Sequence, residues 1–293
     1  MSCTGKSTTV KELVKIFQEN FPDKKHPTKK NELVAALVRH GIVDWCDHVK
    51  INSNFDLENI LKDIDVDNEH MKDWMRTGLL NKWINYLTKN DTVVEKDTCL
   101  SRSEHIGEGK GFNNLFNGAV VLFGPYHQKR PNEALIPAHL KQETGQCKKR
   151  MMVVRLSMWG FNPNNPGIGH ANVIIIDNKK KTVERFEPHG YMQRYNTIPN
   201  QFLEKKFVPK YFPKYKFMRP LSFEPKLGPQ SKQDDSNSDF GFCSIFSTMY
   251  THLRLEDPDK PQRQVVALMS KGTPQDVDER VKLYFQYVHE HLH

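Results

Sequence analysis

The chain has few cysteines, and no pattern among them would organise a fold around disulfides or zinc. Five cysteines stand among 293 residues, and no two of them have the CxxC spacing. An odd number without such spacing indicates neither a disulfide framework nor a metal site. We therefore expect an intracellular, reducing compartment, the cytoplasm or the nucleus, in which a single thiol can act as a nucleophile.

Long apolar runs are also missing. A helix needs about 20 mostly apolar residues to cross a bilayer, and no run in this sequence approaches that length. The opening residues, MSCTGKSTTV, lack the apolar segment of a secretory signal peptide. With 37% hydrophobic residues, the composition predicts a soluble globular protein that has no membrane partner.

Acidic residues are outnumbered by basic ones. Lys and Arg total 43 against 35 Asp and Glu, which gives a formal net charge of +8. This balance favours acidic partners, or DNA and RNA bound through non-specific electrostatics. The lysines form short dispersed clusters, DKKHPTKK, DNKKK and EKKFVPKYFPKYK, which a solvated surface explains equally well.

The spacing of apolar residues divides the chain into a helical part and a strand-rich part. Apolar residues at helical spacing predict two amphipathic helices in residues 1–45, TVKELVKIFQENF and KKNELVAALVRHGI, joined by a basic connector. This arrangement resembles a SAP-type nucleic-acid-binding motif. Residues 46–293 are predicted to form one larger domain, with a helical first lobe at 46–115 and a sheet lobe at 116–293. A helix is expected over residues 56–87.

Short β-branched and aromatic runs in the second lobe predict strands. They read GAVVLFG, RMMVVRLSMW and YKFMRPLSF, and helices are predicted at NTIPNQFLEKKF and PQDVDERVKLYFQYVHEHL. A polar loop, EPKLGPQSKQDDSNSD, separates the last strand from a further helix. For this chain we expect an α+β fold, with a central mixed sheet flanked by helices and the active site at the edge of the sheet.

The stretch HANVIIIDNKKKTVERFE predicts a hairpin that joins a histidine to an acid. ANVIII suits a buried strand, DNKKK a polar turn, and TVERF the antiparallel return strand. His170 precedes the first strand and Glu187 follows the second, 187 − 170 = 17 residues later. An imidazole and a carboxylate would therefore meet at one edge of a sheet.

Cys243 is the candidate nucleophile for this pair. The stretch FGFCSIFSTMYTHLRLE has apolar residues at helical spacing, which places the thiol at or near the N-terminus of a buried helix. The positive end of the helix dipole would stabilise a thiolate there. A free cysteine is also a common small residue of protein cores, so Cys243 alone does not indicate catalysis. The hypothesis that it is a nucleophile depends on the order of His170, Glu187 and Cys243 along the chain.

With these residues the sequence resembles the SUMO- and ubiquitin-like-protein-specific cysteine proteases, together with adenovirus-type endoproteases and related enzymes of large DNA viruses. That family has the order His, acid, Gln, Cys, and its hairpin matches HANVIIIDNKKKTVERFE closely. The resemblance implies a papain-like core in permuted order and a Cys243–His170–Glu187 mechanism without metal or organic cofactor. It also implies a protein substrate, either a ubiquitin-like modifier or a viral precursor, with a Gly-Gly-containing site.

The sequence departs from the family pattern in three places. Ala171 stands where the family has Trp after the histidine, and DFGFCSIF replaces Asp-Cys-Gly-Val-Phe, which moves the thiol two residues later. The family's oxyanion glutamine lies about six residues before the cysteine, where this chain has Asn237. Gln233 and Gln230 are the available amides in the loop, and we slightly favour Gln233.

We therefore expect a cysteine protease or isopeptidase of the host cell or the virion. Two alternatives remain open. Acyltransferases share the fold and the His-Glu-Cys order and would use an acyl-CoA. A nucleic-acid-binding or scaffold protein would keep an inactive protease fold.

Overall fold

The computed structural model describes residues 10–20, 22, 25, 83, 86–87, 98–100, 119–138, 140–167, 169–191, 193–234 and 242–292. These residues form one sheet with helices against both of its faces. The strands are β1 Thr98–Leu100, β2 Ala119–Phe123, β3 Ala134–Leu135, β4 Met151–Trp159, β5 Gly169–Asp177, β6 Thr182–Phe186 and β7 Lys216–Met218. The α-helices are α1 Val10–Asn20, α2 Leu140–Gln146, α3 Gln193–Phe202, α4 Val208–Tyr211, α5 Pro229–Asp234, α6 Cys243–Glu256, α7 Gln262–Met269 and α8 Pro274–Leu292. A π-helical turn, Leu203–Phe207, joins α3 to α4, and a 3₁₀ turn covers Pro220–Ser222.

The sheet is mixed, and β4 runs through its centre. The strand order is β3-β2-β4-β5-β6-β7, and β1 pairs with the first part of β4. β1 and β2 lie parallel to β4, whereas β5 is antiparallel to both β4 and β6. All nine residues of β4 are buried, as its apolar, β-branched composition predicts for a strand covered on both faces. The α+β class and the mixed sheet agree with the expectation from the sequence.

Each face of the sheet has its own apolar cluster, because alternate residues of a strand point to opposite faces. Odd-numbered residues of β4 and β5 pack with α6, α7 and α8, and even-numbered ones pack with α3, the π-helical turn and α4. Val153, Val173 and Ile175 belong to the first cluster, and Val154 and Ile174 to the second. Helix α6 therefore lies directly over the start of β5, where the candidate histidine is located.

The first predicted helix forms, and its apolar face is buried. Leu13 and Phe17 are 0% and 5% exposed and belong to the same cluster as Met249 of α6 and Val281 of α8. The second predicted helix, the basic connector and most of the predicted 56–87 helix lie outside the described residues. Trp83, which is helical, also belongs to this cluster.

The expectation that the cysteines form no disulfides is wrong for one pair. Cys99 and Cys147 form a disulfide across 48 residues, with their Cα atoms 6.1 Å apart. Cys99 lies on β1, opposite Met152 of β4, and Cys147 follows α2 shortly before β4 begins. The two thiols meet because β1 pairs with β4, which is a long-range contact without a local signal in the sequence.

Cys243 is the free cysteine of the described part of the chain. No helix among the described residues has both the length and the apolar composition that a bilayer crossing requires.

Candidate active site

The predicted hairpin forms and brings His170 to Glu187. β5 and β6 pair in register from Val173–Phe186 to Asp177–Thr182. Oδ1 of Asp177 accepts hydrogen bonds from the backbone N–H groups of both Lys179 and Lys180, which closes the turn. At the other end of the hairpin, Nε2 of His170 lies 2.6 Å from Oε1 of Glu187. The hairpin thus brings His170 and Glu187, which are 17 residues apart in the sequence, into direct contact.

The contact between His170 and Glu187 is a buried ion pair rather than a surface hydrogen bond. His170 is 7% exposed and Glu187 is fully buried. Burial raises the pKa of Glu187, but His170 and Arg185 lower it by more, so this carboxyl remains ionised. Burial lowers the pKa of His170, and the charge of Glu187 together with a hydrogen bond to Cys243 raises it above the ordinary value. The imidazole is therefore protonated near neutral pH.

A buried arginine holds the far side of the Glu187 carboxylate. Nη2 of Arg185 donates to Oε2 of Glu187 at 2.6 Å. The same guanidinium donates to the side-chain oxygens of three asparagines, Asn172, Asn196 and Asn200. A planar guanidinium that is held at several points cannot rotate away from its carboxylate. Arg185 therefore fixes the position of the acid.

The backbone around Glu187 adds two more hydrogen bonds. The N–H of His189 donates to Oε1 of Glu187 at 3.0 Å, and the N–H of Glu187 donates to Oε1 of Glu224 at 2.9 Å. Glu224 is buried, and burial raises its pKa well above the ordinary value. A neutral Glu224 accepts the backbone N–H without placing a second negative charge beside Glu187.

Sequence reasoning missed both Arg185 and Glu224. Arg185 could have been found, because it lies on β6 two residues before Glu187 and the alternation of side chains along an extended chain places both on one face. Glu224 has no such signal, since it lies 37 residues further along the chain.

Aromatic side chains surround the imidazole, although the tryptophan expected at position 171 is absent. The His170 ring lies 4.5 Å from the ring of Tyr195 and 5.0 Å from that of His189. On the next strand, the indole of Trp159 covers Gly169, where an added Cβ would approach Cζ2 to 2.8 Å. Trp159 and Tyr195 thus pack around the start of β5 from other elements of the fold.

Cys243 is the first residue of α6 and meets the start of β5. Its Sγ accepts a hydrogen bond from the backbone N–H of Ala171 at 3.4 Å, and the thiol is near enough to His170 to raise the pKa of that imidazole. Ser247, one turn further along α6, donates to the carbonyl of Ala171. Cys243 as a residue is partly exposed, and it stands at a helix N-terminus beside the start of β5.

The two candidate glutamines differ in what their amides do. Gln233 is fully buried, and its Nε2 donates to Oδ1 of Asp278 on α8 at 2.9 Å. Gln230 is 4% exposed, and its backbone N–H donates to the carbonyl of Pro188, next to Glu187. The amide nitrogen of Gln233 is thus engaged by the protein, whereas that of Gln230 has no protein acceptor among the described residues. Asn237 lies outside them.

A cavity opens at the edge of the sheet where β5 begins. The paired positions on β2, β4 and β5 are Phe123, Trp159 and Gly169. The loop after β2 therefore lies about 10 Å, or two strand spacings, from the start of β5. This loop and the one before β5 enclose about 390 Å³. The lining residues are His127, Gln128, Lys129, Arg130, Leu135, Pro166 and Gly167.

Comparison with known proteins gives two partial similarities. No family model matches the chain. A putative ankyrin repeat protein of Acanthamoeba polyphaga mimivirus, L371, is 31% identical over a segment that covers 33% of this chain. The matched segment spans only 16% of that viral protein. A solved structure of the Chlamydia trachomatis effector protein Cdu1 bound to ubiquitin aligns with a TM-score of 0.33 and 14% identity, over 55% of this chain and 70% of that one.

Proposed function

We propose that this chain is a cysteine protease or isopeptidase in which Cys243 is the nucleophile, His170 the general acid and base, and Glu187 the residue that orients His170. The supporting observation is the arrangement of the three groups. His170 and Glu187 form a buried 2.6 Å pair, and the backbone N–H of Ala171, the residue after His170, donates to the thiol at the start of α6. A nucleophile, a base in contact with it and a third group that orients the base are the parts that acyl transfer requires.

The reaction proceeds through an acyl-enzyme. The Cys243 thiolate attacks the carbonyl carbon of the scissile amide, and the C–S bond forms as the carbonyl oxygen becomes an oxyanion. His170, protonated in the resting state, donates its proton to the departing amine as the C–N bond breaks. The neutral imidazole then takes a proton from water, which attacks the thioester, and the products are a carboxylic acid and the regenerated pair of Cys243 thiolate and protonated His170.

Gln230 and the backbone N–H of Cys243 are the donors that we assign to the oxyanion. A backbone N–H in the first turn of a helix has no intrahelical acceptor. The amide of Gln230 is available among the described residues, whereas that of Gln233 is bound to Asp278. Two donors directed at the oxyanion supply a large part of the rate acceleration in acyl transfer.

The substrate that we propose is a protein, either a ubiquitin-like modifier or a viral precursor cleaved after a Gly-Gly-containing site. The sequence resemblance supports this class, and the partial similarity to a mimivirus protein agrees with a viral setting. The cavity of about 390 Å³ beside the start of β5 has room for several side chains of a polypeptide.

Acyl transfer from an acyl-CoA is a second candidate, because the same cavity carries Lys129 and Arg130. Cationic side chains of this kind bind phosphate groups, which an acyl-CoA supplies. Incubation with acetyl-CoA and a protein acceptor would give acetylated acceptor from a transferase and no product from a protease.

A covalent probe tests the proposal directly. Ubiquitin-like modifiers that end in Gly-Gly and carry a thiol-reactive group at the C-terminus should label the wild-type chain at one site. Cys243→Ala and His170→Ala should each reduce labelling and cleavage by about 10³-fold or more, whereas Cys46→Ala serves as the matched control and should leave both unchanged. Full labelling of Cys243→Ala would contradict the proposal, and absence of labelling in every variant would favour the scaffold alternative.

A further inference from the structure

The turn that begins at Glu187 is covered by a single later segment of the chain. This segment, residues 224–231, follows the 3₁₀ turn Pro220–Ser222, and we call it the clamp. The hydrogen bonds between the clamp and residues 187–191 run from the N–H of Glu187 to Oε1 of Glu224, from the N–H of Tyr191 to the carbonyl of Pro225, from the N–H of Gly228 and Oγ of Ser231 to the carbonyl of His189, and from the N–H of Gln230 to the carbonyl of Pro188. The turn and the clamp are thus joined along the length of both segments.

Two glycines let the clamp come this close to the turn. A Cβ on Gly228 would lie 2.4 Å from both the nitrogen of Gly190 and the carbonyl oxygen of Pro188. Gly190 has a φ of +86°, a conformation that residues with a side chain rarely adopt. Both obstructing atoms belong to the backbone, so no side-chain rotation would make room. The turn and the clamp therefore fit together in one arrangement.

The clamp is anchored in the core where it begins. Phe223, directly before it, is 4% exposed, and its ring stacks with that of Tyr250 on α6, with the ring centroids 6.3 Å apart. Tyr250 stacks in turn on Phe186 of β6 at 4.2 Å. The N–H of Glu224 donates to the carbonyl of Pro220 at 2.7 Å. The position of Glu224 is thus set by the core rather than by the turn that it holds.

Glu224 is a costly residue for a position that serves packing alone. It is 6% exposed, and its Oε1 accepts the N–H of Glu187 at 2.9 Å. Its Oε2 is buried and has no hydrogen-bond partner among the described residues. A buried polar atom without a partner costs free energy, which an apolar side chain of the same size would avoid. What an apolar side chain could not supply is the acceptor for Glu187.

This acceptor acts on the residue whose carboxylate faces the imidazole. Resting on the proposed function, we propose that Glu224 is a positioning residue for Glu187: it holds the backbone of Glu187 so that the carboxylate stays directed at Nε2 of His170. Arg185 fixes the same residue at its carboxylate, and Glu224 fixes it at its backbone. With both ends of Glu187 held, the imidazole keeps the orientation that proton transfer requires.

Substitutions at Glu224 separate this role from a purely structural one. Burial raises the pKa of Glu224 well above its ordinary value, so glutamine, which is neutral and of nearly the same size, preserves the acceptor. Glu224→Gln should keep kcat within about twofold of the wild type. Glu224→Leu should lower kcat by about 10-fold or more and change KM by less than about twofold, because a misdirected carboxylate slows proton transfer without weakening substrate binding. The matched control is Glu19→Leu on the exposed face of α1, which should leave both constants unchanged.

Equal kcat values for Glu224→Gln and Glu224→Leu would overturn the proposal, whether both match the wild type or both fall. If Glu224→Leu does not fold, Glu224→Asp decides the question. It keeps a carboxyl group but withdraws it by one methylene, so its kcat should fall in the same way. A kcat equal to that of the wild type would then overturn the proposal.

Proton NMR gives a readout that does not depend on cleavage. The hydrogen bond between Nε2 of His170 and Oε1 of Glu187 is short and charge-assisted, and the proton in such a bond resonates far downfield. The wild type and Glu224→Gln should show this signal, His170→Ala should lack it, and Glu224→Leu should lose or shift it. An unchanged signal in Glu224→Leu would overturn the positioning role. Loss of the signal in that variant, with a wild type that cleaves no substrate, would contradict the proposed function and support the positioning role.

Discussion

At the scale of single residues, the charge of Glu187 sets the protonation of His170. Burial lowers the pKa of this imidazole, and Glu187 together with Cys243 raises it by more. The imidazolium is therefore retained as the pH rises until the elevated pKa is reached. Loss of the carboxylate charge removes part of the upward shift, so the imidazolium should deprotonate at lower pH.

Glu187→Gln should therefore move the alkaline limb of the pH–rate profile to lower pH by about one unit or more. It should also reduce kcat/KM by about 10²-fold or more, because the imidazole loses its orientation. The measurement is the pH dependence of kcat/KM with a fluorogenic substrate. A change in kcat/KM with an unmoved alkaline limb would show that Glu187 does not control the charge of His170.

The two glutamines offer a paired test of the oxyanion donor. Gln230→Ala should lower kcat by about 10²-fold with little change in KM, as expected for a donor that acts in the transition state. Gln233→Ala removes a buried hydrogen bond to Asp278 and should lower stability by about 1–3 kcal/mol, with kcat nearly unchanged. The reverse pattern would assign the role to Gln233, and two silent variants would exclude both.

At the scale of elements, α1 is bound to the main core by its apolar face. Leu13→Ala removes a fully buried side chain from the cluster that contains α6 and α8, and should destabilise the protein by about 2–4 kcal/mol. Lys15→Ala on the exposed face of the same helix is the control and should change stability by less than about 0.5 kcal/mol. Urea unfolding measures both. Equal, small effects would show that α1 is an independent module, as the proposed boundary near residue 45 implies.

The hairpin and α6 meet through backbone groups as well as side chains. Ala171 donates to Cys243 and accepts from Ser247, so α6 is held in register against β5 at the point where the thiol is presented. The positions of the nucleophile and the base therefore depend on the packing of one helix on one strand.

At the scale of the whole molecule, the Cys99–Cys147 disulfide closes a loop of 48 residues. A loop of this length stabilises a fold by about 4 kcal/mol in the chain-entropy model. Cys99→Ser should lower the free energy of unfolding by about that amount under oxidising conditions, and reducing agent should remove the difference from the wild type. Alkylation of the unreduced native protein followed by mass spectrometry should modify Cys243 and spare Cys99 and Cys147. Modification of all three would show that the pair is reduced in solution.

The sequence by itself determined the hairpin and the elements on either side of it. A short apolar, β-branched run and an Asp-Asn turn are local signals, and they sufficed to place His170 and Glu187 at the same end of two paired strands. Helical spacing after Phe242 likewise placed Cys243 at a helix start. These predictions depend on neighbours within a few residues, where steric preferences and hydrogen bonding act directly.

Tertiary structure alone decided which distant groups complete the site. Glu224 reaches the backbone of Glu187, and Asp278 binds the side chain of Gln233. The disulfide depends in the same way on β1 lying beside β4. Each of these outcomes follows from how helices and strands pack across the sheet, and packing brings together residues between which the sequence carries no local periodic signal.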